Sequence, residues 1–142
     1  MRISAVLAAK GSFVATVAPG DTVAAAVAAL RQHGVGALVV SDDGQHIEGI
    51  ISERDIVRRL ADGPGLLEQP VAALMTSLVA TCSPDSDTEE LMATMTDRRI
   101  RHVPVVHDGQ LAGIVSIGDV VKARIEELER DRRDLVEYIG AR

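Results

Sequence analysis

The chain has 142 residues, and its 46% hydrophobic and 25% charged residues exclude an intrinsically disordered protein. The formal net charge is −6 and the aromatic content is 1%, so we expect no nucleic-acid partner. A single cysteine excludes an internal disulfide framework, and the histidines lack metal-ligand spacing, so we expect no metal site.

Residues 1–10 combine one early arginine with a short apolar run. This run is too short and too interrupted for a signal peptide or a membrane span. Ile3, Val6 and Leu7 instead lie at helical spacing. We therefore expect an N-terminal helix, no membrane partner and a cytoplasmic location.

The rest of the chain contains two copies of one pattern. A shift of 65 residues aligns Pro19 with Pro84, and after the loss of one loop residue a shift of 64 aligns Ser52 with Ser116. Both copies end in Gly-Ile-(Ile/Val)-Ser-x-x-Asp-(Ile/Val)-Val. Two copies do not make a solenoid, so we expect a pair of repeats that bury one shared face about a pseudo-two-fold axis.

Repeat one is predicted to contain a strand, a helix, a hairpin of two strands and a second helix. The first helix opens at Asp21-Thr22 and is closed by Gly34 in a left-handed cap. Turn residues Asp42-Asp-Gly44 separate the two hairpin strands. The predicted elements lie at 14–17, 21–33, 37–40, 47–51 and 55–61.

Repeat two follows the same order. Its first helix carries Glu89 and Glu90 in the first turn, where the helix dipole favours acids. Strands are predicted at 78–82, 103–106 and 111–115, and a long helix at 119–138. The predicted fold is thus an α+β pair of β-α-β-β-α repeats. With Gly63-Pro-Gly65 as the linker, residues 1–65 form repeat one with the N-terminal helix, and residues 66–142 form repeat two with an extended C-terminal helix.

The Ser-x-x-Asp segment that ends each hairpin has two interpretations. A serine at a strand end with an acid three residues later is a capping box, which explains Ser52 and Asp55 without any ligand. Alternatively, the strand–helix junction directs backbone N–H groups toward a phosphate, while the carboxylate suits the vicinal hydroxyls of a ribose. The recurrence of the motif at Ser116 and Asp119 favours the second interpretation, although each copy alone permits both.

The blocks of the two repeats, taken in order, resemble tandem CBS domains (a Bateman module) of the small bacterial type. The resemblance covers roughly residues 10–124. It rests on Gly-Ala-Leu-Val-Val, Gly-Ile-Ile-Ser-Glu-Arg-Asp-Ile, Val-Ala-Ala-Leu-Met-Thr, Arg-Ile-Arg-His-Val-Pro-Val-Val and Gly-Ile-Val-Ser-Ile-Gly-Asp-Val. It implies an adenosine ligand between the repeats, in up to two sites related by the pseudo-two-fold axis.

The resemblance also implies which residues form each site. In relatives the Asp of the motif bonds the ribose hydroxyls and the Ser helps to hold ribose or phosphate. The adenine lies against the strand that opens the other repeat and the loop before that repeat's second strand. One implied site contains Ser116 and Asp119 with Lys10, Val14, Ala15, Val35, Gly36 and Ala37. The other contains Ser52 and Asp55 with Met75, Thr76, Val79, Ala80 and Ile100.

Phosphate requires cations, and the candidates are Arg54, Arg101 and His102. Because Arg101 and His102 belong to repeat two, we expect the Asp119 site to hold several phosphates. The Asp55 site has only Arg54 and is expected to prefer AMP or one half of NAD. For His102, a hydrogen-bonded structural histidine is the alternative, and Arg98-Arg99 is interpreted as a solvated helix end.

The C-terminal segment from Asp119 exceeds what one repeat requires. Its apolar residues lie near a heptad seam that Arg132 interrupts. The helix either packs on its own domain or forms a dimer contact, and the resemblance implies a homodimer. The seam residues are Val121, Ile125, Leu128, Leu135 and Ile139.

The predicted function is a non-catalytic regulatory module, an energy or cofactor sensor that binds AMP, ADP, ATP or NAD and has no obligatory cofactor. An unidentified effector protein would receive its output. One alternative is a protein-interaction domain without a ligand. An enzyme is disfavoured because the sequence contains no nucleophile–base pair, P-loop or Rossmann fingerprint.

Overall fold

A computed structural model describes residues 1–141 as two α/β repeats packed side by side. None of the helices in this range is long and apolar enough to cross a membrane. The first half contains α1 (Ile3–Lys10), β1 (Thr16–Val17), α2 (Val23–His33), β2 (Ala37–Val40), β3 (Gly49–Ser52) and α3 (Glu53–Arg59). Three short 3-10 turns lead to α4 (Thr88–Arg98), β4 (His102–His107), β5 (Gln110–Ser116) and α5 (Ile117–Gly140).

The first helix of each repeat is capped by a side chain at its start, and in repeat one the predicted caps are present at both ends. The Thr22 hydroxyl accepts a hydrogen bond from the Ala25 N–H at 3.1 Å and caps α2. Gly34 ends α2 at φ 62° and ψ 36°, which confirms the predicted left-handed cap. Asp87 caps α4 through the Glu89 N–H at 2.9 Å. These local signals fix where α2 begins and ends and where α4 begins.

Both predicted hairpins are present, but the two sheets differ at their first strand. In repeat one, β1 pairs in parallel with β2, and β2 pairs antiparallel with β3. In repeat two, β4 and β5 form a two-stranded sheet. The predicted strand at 78–82 is wrong: only Cys82 bridges Val105, and Leu78 is 95% exposed. Residues 78–82 have a β-prone composition, but most of them have no neighbouring strand with which to form hydrogen bonds.

The N-terminal helix and the inter-repeat linker each pack in the core of the other repeat, not of the repeat predicted to contain them. Ile3 and Val6 of α1 are buried in the core of repeat two, with Met95 and Val115 among their neighbours. Conversely, the linker residues Leu66, Val71 and Leu74 lie in the core of repeat one with Val23 and Ile51. Packing therefore does not follow the division at residue 65 that the sequence repeat predicts.

Two glycines allow these exchanged segments to approach the sheets. A Cβ on Gly49 would lie 2.7 Å from Met75 Sδ and 2.8 Å from the Thr76 carbonyl oxygen. A Cβ on Gly113 would lie 2.8 Å from a Leu7 methyl carbon. Close contact at Gly49 brings Thr76 into two backbone hydrogen bonds with Ile50, at 2.9 and 3.0 Å. The linker is thereby held against β3, next to the start of α3.

The C-terminal helix packs on its own repeat only at its beginning. Val120 and Ala123 are buried, whereas every residue from 128 to 140 is exposed. Arg124 binds Glu89 at 3.0 Å and Glu127 at 3.5 Å, which attaches the second turn of α5 to α4. Packing on its own domain, one of the two roles predicted for this helix, therefore applies only to its first half.

Candidate functional site

Both repeats contain the predicted capping box at the strand–helix junction. In repeat one, Asp55 Oδ2 accepts hydrogen bonds from the Ser52 N–H at 2.9 Å and the Ser52 hydroxyl at 3.0 Å. In repeat two, Asp119 Oδ2 accepts from the Ser116 N–H at 2.8 Å. Each serine hydroxyl in turn accepts from the aspartate N–H. The structural interpretation of the motif is confirmed, and each carboxylate is held at the start of its helix.

A cleft of about 620 Å³ opens between the repeats at Asp55. Its floor is the β3–α3 junction, and the linker and the start of β4 form its walls. Apolar side chains of Ile50, Val79 and Ile100 face it together with charged ones. Predicted site residues that line it are Gly36, Ala37, Ser52, Arg54, Asp55, Thr76, Val79, Ala80, Ile100, Arg101 and His102.

The remaining predicted site residues lie outside this cleft. Ala15 is buried in the core of repeat one, Val35 packs against that core, and Val14 next to Ala15 is half-buried. Met75 also packs against this core, close to Gly49. Lys10, Ser116 and Asp119 come together at the other strand–helix junction.

Four residues that we expected at the Asp119 site line the Asp55 cleft, and two of these, Arg101 and His102, also lie beside the Asp119 junction, where His102 is opposite Ser116. For Gly36 and Ala37 the reason is strand pairing, since Ala37 lies opposite Ser52 between β2 and β3. Arg101 directly precedes β4, and the His102 ring packs against Gly36 across the axis. A Cβ on Gly36 would lie 3.1 Å from His102 Cε1, so the glycine makes room for the ring.

Five arginines surround the Asp55 cleft. Arg54 and Arg58 come from α3, whereas Arg98, Arg99 and Arg101 come from the end of α4 and the loop after it. Within residues 1–141 none of them forms an ion pair, and the carboxylates on the cleft wall are those of Glu53 and Asp55. We expected Arg54 to be the only cation at this site, so the Asp55 cleft has more arginines than the sequence predicted.

Sequence reasoning missed Arg58, Arg98 and Arg99 as cleft residues. A signal for the last two was available in the repeat alignment. The segment 98–101 reads Arg-Arg-Ile-Arg, whereas the equivalent segment 33–36 reads His-Gly-Val-Gly. A charge run in one copy that is absent from the other is not required by the fold that the two copies share, so a comparison of the copies singles out these arginines.

Arg99 adopts a backbone conformation that repeat one assigns to glycine. Its φ is 55° and its ψ is 42°, close to the values of Gly34. A side chain in this left-handed region costs roughly 1–2 kcal/mol. The Arg99 carbonyl also accepts a hydrogen bond from Arg54 Nη1 at 3.3 Å, across the repeat boundary. Strain at this position is consistent with a functional role for the side chain.

The backbone at the helix starts offers little to a phosphate. The Glu53 N–H donates to the Gly36 carbonyl at 3.0 Å, and the Ile117 N–H donates to the Arg101 carbonyl at 2.8 Å. The N–H of each capping aspartate is taken by its serine. Two of the first three N–H groups of each helix are thus occupied, so side-chain charge is the larger source of positive potential at the cleft.

Lys10 occupies the second junction. Its ammonium donates to Asp119 Oδ2 at 2.5 Å and to the Ile114 carbonyl at 2.8 Å. Burial opposes ionisation of Asp119, but the bonds from Lys10 and Ser116 together outweigh it and lower the pKa of this carboxyl. The two pseudo-symmetric aspartates therefore have different partners.

Comparison with known proteins identifies the family. The CBS domain model matches residues 12–62 and 71–126, one match in each repeat. The chain is a CBS pair. It is 42% identical over 124 residues to the mitochondrial CBS domain-containing protein CBSX3 of Arabidopsis thaliana, covering 84% of this chain and 60% of that relative.

Solved structures agree with this assignment. The CBS-domain protein ATU1752 from Agrobacterium tumefaciens is 46% identical, with a TM-score of 0.84 over 87% of this chain and 99% of that one. The CBS pair of MJ0100, in complex with 5′-methylthioadenosine and S-adenosyl-L-methionine, has a TM-score of 0.78 over 89% and 98%. At 23% identity the second comparison shows the fold alone.

His102 titrates below the usual range of a histidine. Burial of the ring lowers its pKa, and the nearby Lys10 ammonium and Arg101 reinforce this effect. Glu53 and Asp119 act in the opposite direction but do not outweigh it. The CBS pair therefore holds a neutral imidazole between its two junctions at neutral pH.

Titration of His102 makes stability depend on pH. Its pKa in the folded chain lies below the ordinary 6.5, so the unfolded chain binds the proton first as the pH falls. We expect the wild type to lose stability from about pH 6.5 downward more steeply than His102→Gln, as measured by urea denaturation at pH 8 and pH 5. Both chains share His33, His46 and His107, so equal pH slopes would contradict the assignment.

Proposed function

We propose that this CBS pair is a non-catalytic regulatory module that binds an adenine nucleotide with two or more phosphates in the Asp55 cleft. The observation that carries the proposal is the cluster of five arginines without ion pairs around a fixed carboxylate. Arginine presents a planar set of donors that matches phosphate oxygens. In a chain of net charge −6, such a cluster is a local feature that suits an anionic ligand.

The ribose would bind at Asp55. Both serine bonds to this carboxylate reach Oδ2, so Oδ1 is the natural acceptor for a pair of vicinal hydroxyls. The apolar wall formed by Ile50, Val79 and Ile100 suits the faces of an adenine ring. The MJ0100 pair, which shares the fold, was solved with two adenosine derivatives. These features support adenosine as the common part of the ligand.

The charge around the cleft favours a polyphosphate over other adenosine ligands. S-adenosylmethionine carries a sulfonium cation, which five arginines would repel. A second cavity of about 460 Å³ adjoins the cleft and shares Arg54, Arg58, Arg99 and Arg101 with it. This continuity supports ligands that extend beyond the first phosphate, such as ADP, ATP or NAD, over AMP.

Regulation would follow from the origin of these arginines. Arg54 and Arg58 belong to repeat one, and the other three belong to repeat two. A polyphosphate held by both sets would favour one arrangement of the two repeats, and an effector protein that distinguishes the arrangements would receive the signal. Its identity requires a partner search with and without nucleotide.

Thermal-shift measurements test the proposed ligand. Ligand at a hundredfold over Kd adds about 2.7 kcal/mol to the folded state, which raises Tm by several degrees. We expect this shift with ATP, a smaller one with AMP and none with S-adenosylmethionine. Asp55→Ala should abolish the ATP shift, whereas Asp119→Ala should keep it.

The two alanine variants are matched controls, because each removes the same capping box from its own repeat. Circular dichroism establishes that both remain folded. No shift with any adenosine ligand, in protein free of copurified nucleotide, would contradict the proposal and favour a ligand-free interaction domain. Loss of the shift in Asp119→Ala alone would place the ligand at the other junction.

Replacement of Arg99 by glycine separates its two effects. Arg99→Gly removes the left-handed strain and should stabilise the fold by up to about 1 kcal/mol in urea denaturation. The same change should weaken ATP binding several-fold, by about 1 kcal/mol, because a phosphate contact is lost. Binding of adenosine, which has no phosphate, should not change. An ATP affinity equal to that of the wild type would exclude Arg99 from the phosphate site.

We further propose that α5 pairs with α5 of a second copy. Its seam residues Val121, Ile125, Leu128, Leu135 and Ile139 are 37–61% exposed. With Arg132 between Leu128 and Leu135, these positions alternate in spacings of four and three, the pattern of a coiled-coil seam. A two-fold axis makes such a seam complementary to itself. A parallel pair in register would bring the two Arg132 side chains together, so charge favours an antiparallel pair.

Light scattering after size-exclusion chromatography tests this dimer. The wild type should have twice the chain mass, and Leu135→Gln should shift it toward the monomer because it removes an apolar seam residue. Arg130→Gln, which introduces the same amide on the opposite side of α5, should remain dimeric. A dimer that persists in Leu135→Gln would place the interface elsewhere.

A further inference from the structure

The two pseudo-symmetric junctions are not equally available to a ligand. Asp55 lines an open cleft, and within residues 1–141 it forms no ion pair. Asp119 is bound by Lys10, and the side chains of this pair are only 34% and 25% exposed. Asp119 lines neither of the two cavities described above.

Lys10 replaces a backbone contact of the other repeat. In repeat one, the Ile50 carbonyl accepts a hydrogen bond from the Thr76 N–H at 2.9 Å. In repeat two, the equivalent Ile114 carbonyl accepts from the Lys10 ammonium at 2.8 Å. The residue equivalent to Lys10 at a shift of 65 is Met75, whose side chain packs against Gly49 and carries no charge. This position thus serves packing against repeat one, where it is Met75, and an ion pair with repeat two, where it is Lys10.

We propose that the Lys10–Asp119 ion pair closes the second ribose position, so that the chain binds a single nucleotide, at Asp55. This inference rests on the proposed function. Lys10 acts as a specificity-determining residue, since its ammonium binds both the Asp119 carboxylate and the Ile114 carbonyl at the strand–helix junction.

The chemistry of the two competing partners explains the closure. The ammonium makes a charge-assisted hydrogen bond, which is about twice as strong as one between neutral groups. Asp119 Oδ1 receives no bond from Lys10 or Ser116, but a ribose bound there would lie beside an ammonium that already pairs with this carboxylate. Movement of the ammonium out of the way would leave Lys10 without its carboxylate. α1 is fixed by Ile3 and Val6 in the core of repeat two, so the main chain that carries Lys10 is anchored nearby.

The closed site is tested in an Asp55→Ala background, where the first site is removed. Equilibrium dialysis with ATP and with AMP measures the bound nucleotide per chain. Asp55→Ala should bind none. Asp55→Ala with Lys10→Met, which copies the residue of the other repeat, should bind about one. Further addition of Asp119→Ala should abolish this binding, and Lys10→Arg in place of Lys10→Met should leave the site closed.

The outcomes distinguish a failure of the proposed closure at Asp119 from a failure of the proposed function. An Asp55→Ala chain that binds a nucleotide through Asp119 would overturn the closure, and so would absence of binding in the folded Lys10→Met double variant. Lys10→Gln repeats that test if the methionine variant does not fold. A wild type that binds no nucleotide would refute the proposed function alone, because the Lys10 variants still report on the Asp119 position.

Discussion

Each repeat of this CBS pair turns from its last strand into its last helix through a capping box, and the rest of the site is arranged around that turn. The Ser52 hydroxyl and N–H hold Asp55 by bonds of 3.0 and 2.9 Å. The Gly36 carbonyl binds the first N–H of α3, which connects the start of β2 to the same turn. A carboxylate held in this way loses little further conformational freedom when a ligand binds. One set of contacts therefore serves both the fold and the site.

The repeated fold supplies two equivalent positions, and a few substitutions make them different. Where repeat one has Gly34 and Gly36, repeat two has Arg99 and Arg101. Both arginines lie at the boundary between the repeats, so their side chains reach the cleft of the opposite aspartate. A charge gained in one copy thus acts on the site of the other, because the axis brings the starts of β2 and β4 together.

This geometry explains which predictions from the sequence were correct. The capping boxes, the Gly34 cap and both hairpins depend on residues within one repeat, and short spacings determine them. The strand at 78–82 failed because a strand depends on partners from elsewhere in the chain, and here only Cys82 has one. The sequence also did not predict that Arg101 and His102, which lie beside Ser116, would line the Asp55 cleft as well. This placement depends on the packing of the His102 ring against Gly36, a contact between residues 66 positions apart in the sequence.

Electrostatics would connect the proposed ligand to the arrangement of the repeats. Arginines from α3 and from the end of α4 lie around one cleft without carboxylate partners, so they repel each other across the repeat boundary. An anion between them replaces this repulsion with attraction on both sides, and the gain is largest when both sets are in reach at once. The proposed ligand would thus stabilise the arrangement in which the two sets converge, relative to any arrangement that separates them. The difference in anion-binding free energy between those arrangements is therefore the upper limit on how far the anion can shift the equilibrium between them. It also limits the effect on a partner that binds only one arrangement.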